Sequence, residues 1–387
     1  VPSTPRARPY RALRAFAAVL VLTGCSERLP GSWLFVTGVT AHEAVVTGTG
    51  GPPSAVTCTT GDGRVVTGVV SGDEPWRARV SGLTENAAYT CTVARAHGTR
   101  TIRFRTAAPP DDSVIFAVVG DTGDESPEAT VLAYRLAANP PDFVLHVGDL
   151  AYPTATPYAL NERFFRAYRR LLATTAFFAT PGNHDLGPGA AYHPFFEQTT
   201  LPRSPGGDQY AFDWGPMHLL ALSSRTLGLD ADEERAWIAA DLARARERPW
   251  RIAFIHDPVF SPGEKNTVRG LRRMLVPVLE AGGVQLLITG HVHLYARAEA
   301  SCVADPTARM VQVVTGGGSA DLDPAVPHPA FPRIVSRTQY LRVRVTPRTI
   351  DGKAIDLDGR VLDRFRLHHG DTGPCRSDGW PTSRVPP

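Results

Sequence analysis

Lysine is almost missing from this 387-residue chain: Lys265 and Lys353 are the only two among 41 basic residues. Arginine carries nearly all the positive charge, and the formal net charge is only +3. Residues 1–24 hold no acid and four arginines, Arg6, Arg8, Arg11 and Arg14, so a chain that sheds them carries −1. Nucleic-acid binding through bulk positive charge is disfavoured at that balance. Long apolar runs are scarce as well. The run Ala15 to Leu22 has eight residues, and a bilayer core needs about 20. Charged residues make up 20% and apolar residues 43%, which rules out general disorder. The 35 glycines and 34 prolines point to turns and loops in place of a helical bundle. The length suits two domains, one of them large.

A basic start, a short apolar centre and a small-residue end describe a secretory signal over residues 1–24. Leu22-Thr23-Gly24-Cys25 resembles the bacterial lipoprotein box, which implies lipidation of Cys25 and a tether over residues 25–32. The expectation is an exported protein, lipid-anchored to a bacterial membrane at the cell surface or periplasmic face. Setting Cys25 aside leaves Cys58, Cys91, Cys302 and Cys375, an even number for an oxidising compartment. Three pairings are open, and the domain boundary favours Cys58–Cys91 and Cys302–Cys375.

Residues 33–107 read as seven short strands punctuated by turns such as Gly50-Gly51-Pro52-Pro53 and Gly61-Asp62-Gly63, the pattern of a β-sandwich. Gly82-Leu83-Thr84 followed by Tyr89-Thr90-Cys91-Thr92-Val93 resembles the late-strand signature of fibronectin type III domains, with the tyrosine at the sandwich corner. From Ser113 the pattern changes to buried apolar runs alternating with helical stretches, an α/β architecture. Ser126-Pro127-Glu128 reads as a helix start, and Glu233 to Glu247 as a second helix. Residues 113–369 form this larger unit, with a tail over 370–387.

Five of the apolar runs end beside metal-capable side chains: Gly120-Asp121, Gly148-Asp149-Leu150-Ala151-Tyr152, Gly182-Asn183-His184-Asp185, His256, and Gly290-His291-Val292-His293. Each lies at a strand's carboxyl end, where open α/β sheets place their sites. A glycine before a ligand is expected to let the backbone turn sharply. Carboxylates, an amide, imidazoles and a phenol suit iron, zinc or manganese, and the lack of thiolates argues against a structural zinc site.

In this order the groups resemble the purple acid phosphatase branch of the calcineurin-like metallophosphoesterases, over about residues 113–367. Tyr210-Ala211-Phe212-Asp213-Trp214-Gly215 and Val314-Thr315-Gly316-Gly317-Gly318 extend the likeness beyond the site. The resemblance implies a β-sandwich of two mixed sheets flanked by helices, preceded by the small all-β sandwich. It also implies a dinuclear centre. Asp121, Asp149, Tyr152 and His293 would hold Fe(III), and Asp149, Asn183, His256 and His291 a divalent iron, zinc or manganese. Gly123 stands where the wider superfamily has histidine, and Tyr152 supplies the compensating phenolate. Hydroxide held on the metal pair would hydrolyse phosphate monoesters outside the cytoplasm. Asn183 and His184 would contact phosphate, His184 would assist the leaving group, and Asp185 would orient His184. Lys265 is a candidate phosphate contact in a loop that lacks the family's further histidine. A phosphodiesterase or nucleotide hydrolase on the same centre is one alternative, and an inert surface-tethered binding protein another. His146 and His218 read as satisfied core residues, and Arg342 and Arg344 as one solvated face.

Overall fold

The computed structural model describes residues 33–377 other than 97, 226, 228–230 and 263–268. The leader, Cys25, the tether and Lys265 lie outside the described residues. Seven strands come first: β1 (Leu34–Thr37), β2 (Glu43–Gly48), β3 (Ala55–Thr60), β4 (Val65–Ser71), β5 (Trp76–Ser81), β6 (Ala88–Arg95) and β7 (Gly98–Arg105). Their inward residues, Trp76, Tyr89 and Val93 among them, are fully buried. Cys58 and Cys91 stand directly opposite each other on β3 and β6 and are disulfide-bonded. The Tyr89 hydroxyl accepts a hydrogen bond from the Thr84 N–H at 2.9 Å, closing the corner before β6.

The larger unit begins with three parallel strands, β8 (Val114–Val119), β9 (Phe143–His146) and β10 (Ala176–Ala179). Helix α1 (Pro127–Ala138) links the first two, with Ser126 as its N-cap, Pro127 in its first turn and Glu128 near its positive end. Between β9 and β10 runs a helical stretch: α2 (Pro157–Ala159), a π-helical segment (Leu160–Phe165) and α3 (Arg166–Leu172). After the short α4 (Tyr192–Phe196) come β11 (Tyr210–Trp214), β12 (Met217–Ala221), α5 (Ala231–Arg244), β13 (Trp250–Ile255), α6 (Arg269–Ala281), β14 (Leu286–Thr289), β15 (Tyr295–Arg297), β16 (Val311–Thr315) and β17 (Arg333–Val335). The antiparallel meander β18 (Gln339–Val345), β19 (Thr349–Asp356) and β20 (Val361–His368) ends the fold.

Two mixed sheets result. One runs β11-β12-β13-β14-β16-β15-β17, with four parallel strands at its centre. The other contains β20-β19-β18-β8-β9-β10 and continues through β1 into the N-terminal strands. The sheets face each other across an aromatic core. Phe178 stacks on Phe212 at 4.1 Å between ring centroids, and Phe143 meets Trp214 at 4.7 Å. Leu132, Ala133 and Leu136 of α1 cover the outer face of β8–β10, while α5 and α6 bury Ile238, Leu242, Leu275 and Leu279 against the other sheet.

The strand-rich region read as a sandwich of its own is therefore not set apart. Its first strand pairs in parallel with β10 through Val36 and Ala176, and a single apolar cluster runs through both regions. The Gly38 N–H donates to Gln198 at 2.8 Å, and the Thr200 hydroxyl returns a bond to the Gly38 carbonyl at 2.9 Å. At the far end Cys302 and Cys375 form the second disulfide, beside backbone bonds between Ala300 and Arg376 at 2.8 Å and Cys302 and Arg376 at 3.1 Å. No helix among the described residues is long and apolar enough to cross a membrane.

Candidate metal centre

Asp121, Asp149, Tyr152, Asn183, His256, His291 and His293 follow β8, β9, β10, β13 and β14, so both sheets deliver them from their carboxyl ends to one place. They fall into two groups. In the first, the Tyr152 hydroxyl lies 3.2 Å from both Asp121 Oδ1 and His293 Nε2, and His293 Nε2 lies 3.4 Å from Asp121 Oδ1. In the second, His256 Nε2 lies 3.0 Å from Asn183 Oδ1, 3.1 Å from His291 Nδ1 and 3.4 Å from Asp149 Oδ2. The donors of Asp149, His256 and His291 lie within 4.8 Å of one another. The Asp149 charge also bears on the Tyr152 phenol of the first group, which sets the two groups side by side. Ligands bound at 2.0–2.2 Å to a shared ion sit about 3 Å apart, which is the spacing found here.

The ring nitrogens are aimed by their outer partners. The carbonyls of Val147 and Asp321 accept from Nδ1 of His256 and His293, each at 2.8 Å, leaving both Nε2 atoms to face the site. Burial alone would lower His256 and His293, but neighbouring carboxylates raise each to about 9. Burial and the Asp121 and Asp149 charges push the Tyr152 phenol far above its ordinary value. Among the described residues, the ion-pair partners of Asp121 and Asp149 are these histidines alone. Two buried carboxylates, a third at Asp185 and a phenol thus converge, with no lysine or arginine paired to them among the described residues. That donor set fits cations: they would stand where the protonated rings now supply positive charge, and would favour the phenolate.

The backbone around the ligands differs from the sequence-based expectation. Asp121, Asp149 and His291 themselves take left-handed φ angles of 58°, 58° and 67°, a costly conformation for non-glycine residues that tends to mark functional sites. Gly182 has a different purpose from turning: a Cβ there would come within 2.2 Å of Asp149 Oδ1. Gly316, in the Gly316-Gly317-Gly318 loop after β16, would put a Cβ 2.8 Å from Asp121 Oδ2. That stretch, read as lying outside the chemistry, walls the first ligand.

Asp185 requires a correction. It does not orient His184. Its carboxylate accepts from the Asp149 N–H at 2.7 Å, the Leu150 N–H at 2.8 Å and the Gly182 N–H at 2.9 Å. Buried, and beside the Asp149 charge, it is raised to about 7. His184 instead bonds through Nδ1 to the Pro153 carbonyl at 2.6 Å, with its ring against Tyr152. Sequence reasoning also missed Asp323, which accepts from the His293 N–H at 2.9 Å, and Asp257, 3.8 Å from His291 Nε2; carboxylates in loops carry no periodic signal. His146 is a satisfied buried residue, bonded to Thr122 and to the Gly148 N–H and lowered to about 3 by burial. His218 is satisfied differently, between the carboxylates of Asp213 and Asp241 at 2.8 and 2.7 Å.

Two mixed sheets, helices outside and ligands at the joined carboxyl ends are a metallophosphoesterase fold, and residues 115–295 match the family model described as Calcineurin-like phosphoesterase. Within that class, the chain is similar to Purple acid phosphatase 1 of Ipomoea batatas, 26% identical over 243 residues, covering 55% of this chain and 51% of that one. It is 24% identical over 314 residues to Acid phosphatase type 7 of Danio rerio, covering 68% and 70%. In fold it resembles the purple acid phosphatase PPD1 from yellow lupin (Lupinus luteus) seeds, with a TM-score of 0.72 at 17% identity, covering 92% of this chain and 77% of that one. The chain spans about half the length of the plant relatives it matches.

Proposed function

We propose that the chain is a purple acid phosphatase-like enzyme that hydrolyses phosphate monoesters at a dinuclear centre. The observation that carries this reading is the pair of donor clusters set side by side. Asp121, Asp149, Tyr152 and His293 would hold Fe(III), with the phenolate favouring the trivalent ion; Asp149, Asn183, His256 and His291 would hold a divalent iron, zinc or manganese. When bound, such a pair supplies Lewis-acid charge for an in-line displacement at phosphorus. Asn183, on the loop after β10, also faces the entering phosphate. His184 is kept outside both clusters. Because the Pro153 carbonyl takes its Nδ1 proton, Nε2 is the nitrogen left to contact phosphate and pass a proton to the departing alkoxide. Asp185 holds the Asp149 and Gly182 backbones in register. Residues 33–107 serve as a fibronectin type III-like module docked on the catalytic unit of 113–369. Cys25 carries the lipid that keeps the enzyme on the outer side of a bacterial membrane.

The test is metal analysis of purified protein together with hydrolysis of a chromogenic phosphate monoester and the matching diester. Two metals per chain, iron among them, faster monoester cleavage and a visible phenolate-to-iron charge-transfer band are expected. Tyr152→Phe removes the donor oxygen and should abolish the band. A metal-loaded protein that cleaves only the diester overturns the monoester assignment. A colourless, fully active protein indifferent to Tyr152→Phe overturns the iron.

A further inference from the structure

Away from the metal centre, five cations gather on the outer face of the β18–β20 meander. Helices cover this face over β8–β10 but not over the meander, where a groove of about 710 Å³ is lined by Arg342, Arg344, Lys353, Arg364 and Arg366, with Asp351 the one acid. Arg342 faces the same way as its register partner Ala117, whose face lies under α1. Across the strands, Arg342, Lys353 and Arg364 stand directly opposite one another, three cations in one row, and Arg344, Asp351 and Arg366 form the next. Like charges in directly opposed positions destabilise a sheet. The second row is relieved by the Arg366–Asp351 ion pair. The first is not: among the described residues Lys353 and Arg364 have no hydrogen-bond or ion-pair partner, and Arg342 reaches only the Asn139 carbonyl.

The register also locates the face. Val36, Ala176, Phe143 and Phe116 lie at one level across β1, β10, β9 and β8, so Leu34 lies level with Val114. Arg344 pairs with Ile115, one residue away from that level. The described chain therefore enters at the end of the sheet where the Arg344 row lies, four strand spacings or about 19 Å from β18; the Arg342 row, level with Ala117, lies two residues further along β8. Asp121, Asp149 and Asn183 sit at the opposite end, beyond the strands' carboxyl termini.

We infer that the β18–β20 face docks on anionic phospholipid headgroups. Charge complementarity supplies the attraction, and the entry of the described chain through β1 of the same sheet supplies the proximity. A polyanionic substrate is the poorer occupant, because the cations lie on the outer face of the sheet and none of them is among the residues gathered at the metal centre. The inference rests on the anchor reading only for why a membrane lies within reach.

The test uses unlipidated chain from Ser26 onward, which retains every described residue and omits the arginine-bearing leader. Co-sedimentation is measured with vesicles of phosphatidylcholine plus phosphatidylglycerol and with pure phosphatidylcholine. Binding to the mixed vesicles alone is expected, with loss at about 1 M salt, where the screening length falls to about 3 Å. Arg342→Gln, Lys353→Gln and Arg364→Gln together should weaken it roughly 100-fold, about five-fold per cation, while hydrolysis of a soluble ester stays unchanged. Equal binding to both vesicles, equal binding by the triple variant, or binding to a single-stranded oligonucleotide but not to vesicles would each overturn the inference. A chain that binds the mixed vesicles but cleaves no ester supports it and sinks the phosphatase reading instead.

Discussion

Asp185→Asn isolates what the buried carboxylate behind the metal centre does. Three backbone N–H groups converge on it, two on Oδ2 and one on Oδ1. An asparagine keeps one oxygen. Placed where Oδ2 was, that oxygen still serves Asp149 and Gly182, but the amide NH₂ then meets the Leu150 N–H, donor against donor. The reverse rotamer leaves two N–H groups stranded. A buried N–H without an acceptor costs about 1–3 kcal/mol, and the retained bonds lose their charge assistance. The expected destabilisation is therefore about 2–4 kcal/mol, measured by chemical denaturation of metal-free protein. Because the disturbed backbone carries Asp149, proposed as a ligand of both ions, metal affinity should fall about 10- to 100-fold, the range for outer-shell partners. Competition with a chelator reads that affinity. At saturating metal, turnover should recover most of its loss. A variant with unchanged stability and affinity but crippled turnover would refute this reasoning and return Asp185 to the role of orienting His184.

Two further outcomes are expected. His184→Ala should lower turnover by about 10²–10⁴-fold with two metals still bound; parallel loss of metal and activity would make His184 a ligand. His218 gives a pH dependence. Burial alone would depress it, but bonds to Asp213 and Asp241 raise it to about 9, so the fold favours the protonated ring. Its contribution, up to about 3 kcal/mol, is complete below pH ~6.5 and disappears as pH climbs through about 9. Denaturation of wild type and His218→Gln at both ends of that window should converge at high pH, and a constant difference would rule the ion pairs out as the cause.

The candidate ligand positions stood out in the sequence because each lies within a few residues of a short buried apolar run, and the strand's direction then fixes where its end points. Val114 to Val119 and the run starting at Phe143 coincide with β8 and β9 or differ by a residue. What stayed hidden depends on where a side chain turns after its strand ends. Asp185 is adjacent in sequence to His184, yet its carboxylate folds under the loop toward Asp149, 36 residues away. The glycines were seen, but the reason for Gly182 and Gly290 is a clash with a carboxylate oxygen of Asp149 or Asp121 that exists only after two distant loops meet. Helix α6 escaped although Leu271, Leu275 and Leu279 recur at helical spacing on either side of Pro277. The β1–β10 pairing escaped because its partners are about 140 residues apart in sequence, beyond the reach of any local pattern.

That last pairing also bears on how the chain tolerates cutting. Strand β10, Ala-Phe-Phe-Ala and wholly buried, hands Asn183 and His184 to the metal centre, and β1 is the seam that finishes its outer margin. A chain trimmed to begin at Ser113 would keep every candidate metal ligand and still bare a raw apolar strand edge, a template for pairing with its own copies. The N-terminal region is thus stitched into the catalytic sheet, and a shortened protein would fail first by sticking to itself, before any loss at the metals was felt.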